Sequence, residues 1–132
     1  MATRHQVRQS IISLLYAAEL HQENQEFIDE FLDEKKIRNN QRKFTLDLYQ
    51  GINEKLEILD EKINNYLKEH KLNEVANIEK AILRLGTYEI LFTSTQKAII
   101  INEAIELAKE MAGDNAPKFV NGVLDKISKE IK

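Results

Sequence analysis

Few side chains in this sequence are equipped for catalysis. Cysteine is absent, which removes disulfides, thiolate metal sites and cysteine nucleophiles. The three histidines, His5, His21 and His70, are scattered and have no metal-ligating partner at helical spacing. No Glu-x-x-His pair occurs, so a di-metal carboxylate site of the helical-bundle kind is not expected. A phosphate-cradling glycine-rich loop is missing as well. Carboxylates are plentiful, yet none stands in an apolar context that would raise its pKa. The expectation is a protein without a catalytic centre, resident metal or cofactor.

What the sequence does supply is segregated charge. The net charge is −3, but residues 1–18 hold Arg4 and Arg8 and no acid. Residues 19–34 follow with seven acids and no base, and residues 35–43 with five bases (Lys35, Lys36, Arg38, Arg42, Lys43) and no acid. From Pro117 onward four lysines face only Asp125 and Glu130. A net-acidic protein binds an anion when positive charge gathers on one face. Charge alone also fits solvated helix faces, and from it that plainer reading is preferred.

These charges must sit on a scaffold that 132 residues can build. That length suits one domain, spanning residues 1–132, and a chain of this size buries roughly two-thirds of its unfolded surface. Apolar residues make up 42% and charged residues 31%, a soluble, helix-rich balance. Four glycines and one proline, Pro117, argue against an all-β protein. Apolar runs such as 98–101 are far too short to span a membrane. Arg4 and Arg8 ahead of residues 11–18 resemble a signal peptide weakly, but Ser13 and Glu19 break the pattern. A cytoplasmic protein is expected.

Helical periodicity dominates the pattern. Val7, Ile11, Leu14, Leu15 and Ala18 form one stripe, and Phe27, Ile28, Phe31 and Leu32 a shorter second one. Segment 42–68 carries Leu48, Ile52, Leu59, Ile63 and Tyr66, as one long helix or two short ones, with Gly51 as the weak point. Segment 75–92 turns Ile78, Ile82, Leu85 and Leu91 inward, residues 93–96 read as a loop, and 99–111 as the next helix. Gly113 is placed to end that helix in the left-handed conformation. Asn115 then caps the last helix and Pro117 occupies its first turn, with Phe119, Val120, Val123, Leu124 and Ile127 facing inward. Gly86 and Gly122 lie inside helices, where each costs about 1 kcal/mol relative to alanine. Close backbone packing explains both, so Gly122→Leu is expected to destabilise.

Four blocks in order along nearly the whole chain resemble the NusB family. They are RHQVR at 4–8 with LLY at 14–16, IEKAILRL at 78–85 with YEIL at 88–91, INEAIELAK at 101–109, and KFVNGVLD at 118–125. The resemblance implies an all-α fold of about seven helices in two small bundles packed across each other. The same fold serves as an N-terminal domain of some ribosomal RNA cytosine methyltransferases. This chain stops after it, with no catalytic domain, so a stand-alone factor is expected.

The implied function is transcription antitermination on ribosomal RNA operons. It works by binding boxA RNA together with NusE, the small-subunit ribosomal protein, within the RNA polymerase antitermination complex. For some members the resemblance also implies self-association through the RNA-binding face. Single-stranded RNA needs cations for phosphates and flat rings for unstacked bases. The family's N-terminal arginines map to Arg4 and Arg8, with His5 and Gln6 between them, although relatives often carry a denser cluster. Tyr16 either meets RNA or packs on the core, and Phe119 carries the same two readings. Lys118 stands at a helix start, where free N–H groups favour phosphate, and Asn115 caps that helix, contacts RNA, or does both. Glu74 and Glu79 map to the acidic positions that meet basic NusE. Glu103 and Glu106 fit ordinary surface pairs, Glu106 with Lys109 among them. The competing reading is a helical protein-interaction module without RNA binding.

Overall fold

The computed structural model describes residues 2–22, 24–69 and 71–130. Glu23 of the acidic run, His70 and Lys132 lie outside the described residues. Every long regular element among the described residues is an α-helix, and there are seven: Arg4–Glu19 (α1), Gln25–Glu34 (α2), Asn39–Glu54 (α3), Leu56–Asn64 (α4), Asn77–Phe92 (α5), Lys97–Met111 (α6) and Ala116–Glu130 (α7). A short 3-10 turn, Leu72–Glu74, precedes α5. None of these helices is long and apolar enough to cross a membrane. The chain divides into two compact units, Met1–Glu54 and Lys55–Lys132.

The first unit begins with a reciprocal cap. The Thr3 hydroxyl accepts from the Gln6 N–H at 3.1 Å, and the Gln6 side chain accepts from the Thr3 N–H at 2.8 Å. Val7, Ile11, Leu14 and Leu15 are buried along α1, which packs on α3, while Ala18 is only partly covered. In α2 the second stripe narrows to Ile28 and Leu32, since Phe27 stays exposed and Phe31 half-buried. Both helices end on a residue other than glycine in the left-handed region, His21 at φ 56° and Lys36 at φ 59°. Each end closes with paired backbone bonds: Gln22 N–H to the Ala17 carbonyl and His21 N–H to Ala18, then Ile37 N–H to Leu32 and Lys36 N–H to Asp33. Ile37, fully buried, supplies the apolar contact that accompanies such a turn. The acidic and basic runs meet here. Arg42 on α3 pairs with Asp29 at 3.0 Å and Asp33 at 2.9 Å.

The second unit is built around α5, which packs against α4, α6 and α7. Arg84 on α5 holds Asp60 on α4 in a forked pair, both bonds at 2.8 Å. Gly86 lies close against α7: a Cβ there would lie 2.7 Å from Leu124 Cδ1. Gly122 is different. It is exposed, with nothing within 4 Å of where its Cβ would stand, so the close-packing expectation fails there.

Three other expectations are corrected. The chain breaks between α3 and α4 at Lys55 (φ −109°, ψ 14°), four residues beyond Gly51, which stays helical and half-buried. Helix α6 starts at Lys97, two residues early, and ends at Ala112 in an extended conformation; Gly113 does not take a positive φ. Glu89 on α5 is buried at 2% exposure, an interior carboxylate that the apolar pattern did not single out.

Candidate nucleic-acid interface

In the first unit, α1 carries Arg4, His5, Arg8 and Tyr16. Arg4 is exposed, and its guanidinium lies over the Phe44 ring with Cζ 3.6 Å from the centroid. A cation so placed is attracted by the face of the ring. His5 is half-buried and Tyr16 is 37% exposed, so the tyrosine ring is not core. Eleven residues separate the two, three helical turns, which puts them on one stripe of α1 about 16 Å apart. Arg8 is buried at 6% exposure. Ile12 and Leu15, four and seven residues further on, are buried as well, so Arg8 lies within the packed face of α1.

In the second unit, Asn115, Lys118 and Phe119 gather at the start of α7. Asn115 is exposed and its backbone carbonyl accepts from the Phe119 N–H at 3.2 Å, the first bond of the helix. Pro117 sits in that first turn as expected. Lys118 is exposed and Phe119 half-buried, and both line a cavity of about 420 Å³. Its other wall comes from the segment after α4, including Tyr66 and Lys68, and from Val75. Lys126, two turns beyond Lys118 along α7, completes a lysine-rich rim that the charge pattern did not isolate. The separation of more than forty residues between the two walls hid it.

The walls are tied together. Glu130, near the end of α7, accepts from Lys62 Nζ at 2.7 Å and from the Tyr66 hydroxyl. The lysine bond, then the tyrosine bond, holds the Glu130 carboxyl below its ordinary 4.5, while the bond to Glu130 pushes the Tyr66 hydroxyl above 10.0.

The two acidic positions lie at the entrance to α5. Glu74 is exposed on the 3-10 turn, where its carboxylate accepts from the Lys71 N–H at 3.1 Å. Glu79 is half-buried in the first turn of α5, favourable to the helix dipole. Glu106 pairs with Lys109 at 3.3 Å, the ordinary surface contact expected. Among the described residues no group of three or more histidine, aspartate and glutamate side chains could hold a metal ion.

A family profile described as the NusB family matches residues 5–129. The chain belongs to the NusB family. It is 84% identical over 132 residues, all of both chains, to the transcription antitermination protein NusB of Campylobacter lari. The structure is similar to Thermotoga maritima NusB with a TM-score of 0.85 at 32% identity, covering 98% of this chain and 94% of the other. It is equally similar, at a TM-score of 0.85 and 30% identity over 96% of each chain, to NusB in a crystal structure of the antitermination factors NusB and NusE with double-stranded RNA. The family resemblance read from the four sequence blocks and the seven-helix all-α architecture are thus borne out.

Proposed function

We propose that this protein is a transcription antitermination factor that binds boxA RNA of ribosomal RNA operons together with NusE, and so helps RNA polymerase pass terminators. The single observation that carries the reading is the full-length match to a NusB chain in a structure with NusE and RNA. The side-chain chemistry supports it. Lys118, exposed at a helix start, suits a phosphate, and Phe119 beside it offers a half-open ring to an unstacked base. Arg4, placed over the Phe44 ring, His5 and Tyr16 add phosphate and stacking contacts from α1, and Asn115 adds a polar contact ahead of α7. Glu74 and Glu79 are the docking carboxylates for NusE, an electropositive partner once free of the ribosome. The reading involves no catalysis and sets the protein in the cytoplasm, where transcription occurs.

One observation favours the second reading, a protein-interaction module without RNA binding. Burial of Arg8 leaves Arg4 as the exposed arginine of α1. Titrating labelled boxA RNA with the protein, with and without NusE, separates the two. RNA binding that NusE strengthens supports the first; NusE binding with no RNA binding in either titration supports the second.

A further inference from the structure

The groove between the segment after α4 and the exposed face of α7 combines features that packing does not explain. Its volume, about 420 Å³, falls within the range of small-ligand sites, about 300–1,000 Å³. Three lysines rim it, Lys68, Lys118 and Lys126, against one carboxylate, Glu69. Lys118, Gly122 and Lys126 are spaced four residues apart, so on α7 they form one stripe about 12 Å long with the glycine at its centre. Phe119 borders that stripe.

Gly122 is the telling residue. It weakens a helix interior, and no neighbour comes within 4 Å of its missing Cβ to require it. Backbone left bare between two ammonium groups, beside an aromatic ring, is open to close approach by a flat ligand. The opposite wall is set beforehand, because Glu130 binds Tyr66 and Lys62 and ties the end of α4 to α7.

We infer that this groove is a nucleotide pocket for single-stranded RNA, in which one unstacked base lies over Gly122 against Phe119 while Lys118 and Lys126 hold its flanking phosphates and Lys68 closes the far rim. Charge decides the occupant: three cations against one anion suit a polyanion, whereas a basic protein segment would be repelled. The inference rests on the RNA-binding reading above and adds Tyr66, Lys68, Gly122 and Lys126 to it.

The test uses the full chain and labelled single-stranded boxA RNA with NusE present. Gly122→Leu fills the groove from an exposed position, so its thermal unfolding should match or exceed that of the unaltered protein. Its RNA affinity should fall about tenfold or more, the scale of one lost base stack. Lys126→Ala and Lys68→Ala should each flatten the salt dependence by about 0.7 of a slope unit. NusE binding should not change in any of them. If the unaltered protein binds boxA and all three variants bind equally well, the pocket is wrong while the antitermination reading stands. If the unaltered protein does not bind boxA, both fail. If Gly122→Leu instead loses NusE and keeps RNA, the groove is a protein-docking site and the inference is overturned. Should Gly122→Leu not fold, the two lysine variants decide alone.

Discussion

Alanine at Gly86 and alanine at Gly122 are chemically the same change in two helix interiors, and the structure sets them opposite outcomes. At Gly122 only helix propensity acts, because nothing lies within 4 Å of the new methyl, and stability should rise by about 1 kcal/mol. At Gly86 the same gain meets a collision. The methyl would lie 2.7 Å from Leu124 Cδ1 and 3.1 Å from Cδ2, with Cγ in ordinary contact at 3.5 Å, so the end of that side chain must move. Leu124 has 0% exposure and little room to retreat. Overpacking of this kind costs about 1–3 kcal/mol, so the net effect should be a loss of up to about 2 kcal/mol. The two variants should therefore differ by about 1–3 kcal/mol in urea unfolding followed by far-UV circular dichroism, with unchanged slope. A double variant, Gly86→Ala with Leu124→Ala, should lose less than the sum of its parts, since the second change removes the collision. If Gly86→Ala stabilises as much as Gly122→Ala, the close approach of α5 and α7 at Leu124 is refuted.

Lys36→Gly should raise stability by about 1 kcal/mol, because it relieves a left-handed backbone that lysine tolerates poorly; an unfolding midpoint that drops would mean the Lys36 side chain matters more than its backbone. The clasp of Lys62, Glu130 and Tyr66 should stabilise through neutral pH and weaken on both sides. Glu130, whose pKa is lowered, loses its contribution as pH falls through that value, and Tyr66, whose pKa is raised, as pH rises through its own. Thermal unfolding of Glu130→Gln should thus lie below that of the unaltered protein near neutrality and converge with it in acid and in strong alkali; a constant offset would argue against the clasp. Arg4→Ala should weaken boxA binding and flatten its salt slope by about 0.7 without loss of fold. Arg8→Ala should cost about 0.5–3 kcal/mol of stability instead, because Arg8 is buried. Equal effects on RNA and none on folding would put Arg8 at the surface.

The helices were legible because apolar residues recur at helical spacing, as Val7, Ile11, Leu14 and Leu15 do, and because Asn115 and Pro117 mark a start chemically. Their ends were harder. His21 and Lys36 adopt the conformation expected of glycine, while Gly113 does not, since paired backbone bonds and the burial of Ile37 stabilise the turn regardless of residue type. The break at Lys55 was invisible because the apolar pattern runs across it, from Leu48 and Ile52 to Leu59 and Ile63. Gly86 and Gly122 look alike in sequence; only the neighbour, Leu124 or open solvent, tells them apart. Burial of Arg8 did leave a trace, in Ile12 and Leu15 on the same stripe. The lysine rim left none, because Lys68 and Lys126 read as ordinary surface charge until the segment after α4 and α7 are brought together.

Separate faces for RNA and for a basic protein are the centre of the account, and paired titrations of Glu79→Lys and Phe119→Ala against boxA RNA and NusE test them most directly. Both variants must first show native circular dichroism, since Glu79 and Phe119 are half-buried. Glu79→Lys should lose NusE affinity, like charges now facing each other, and keep or slightly gain RNA affinity. Phe119→Ala should lose about 1–3 kcal/mol of boxA binding and keep NusE. Loss of the same partner by both folded variants, with the other partner untouched, would contradict the two-face account.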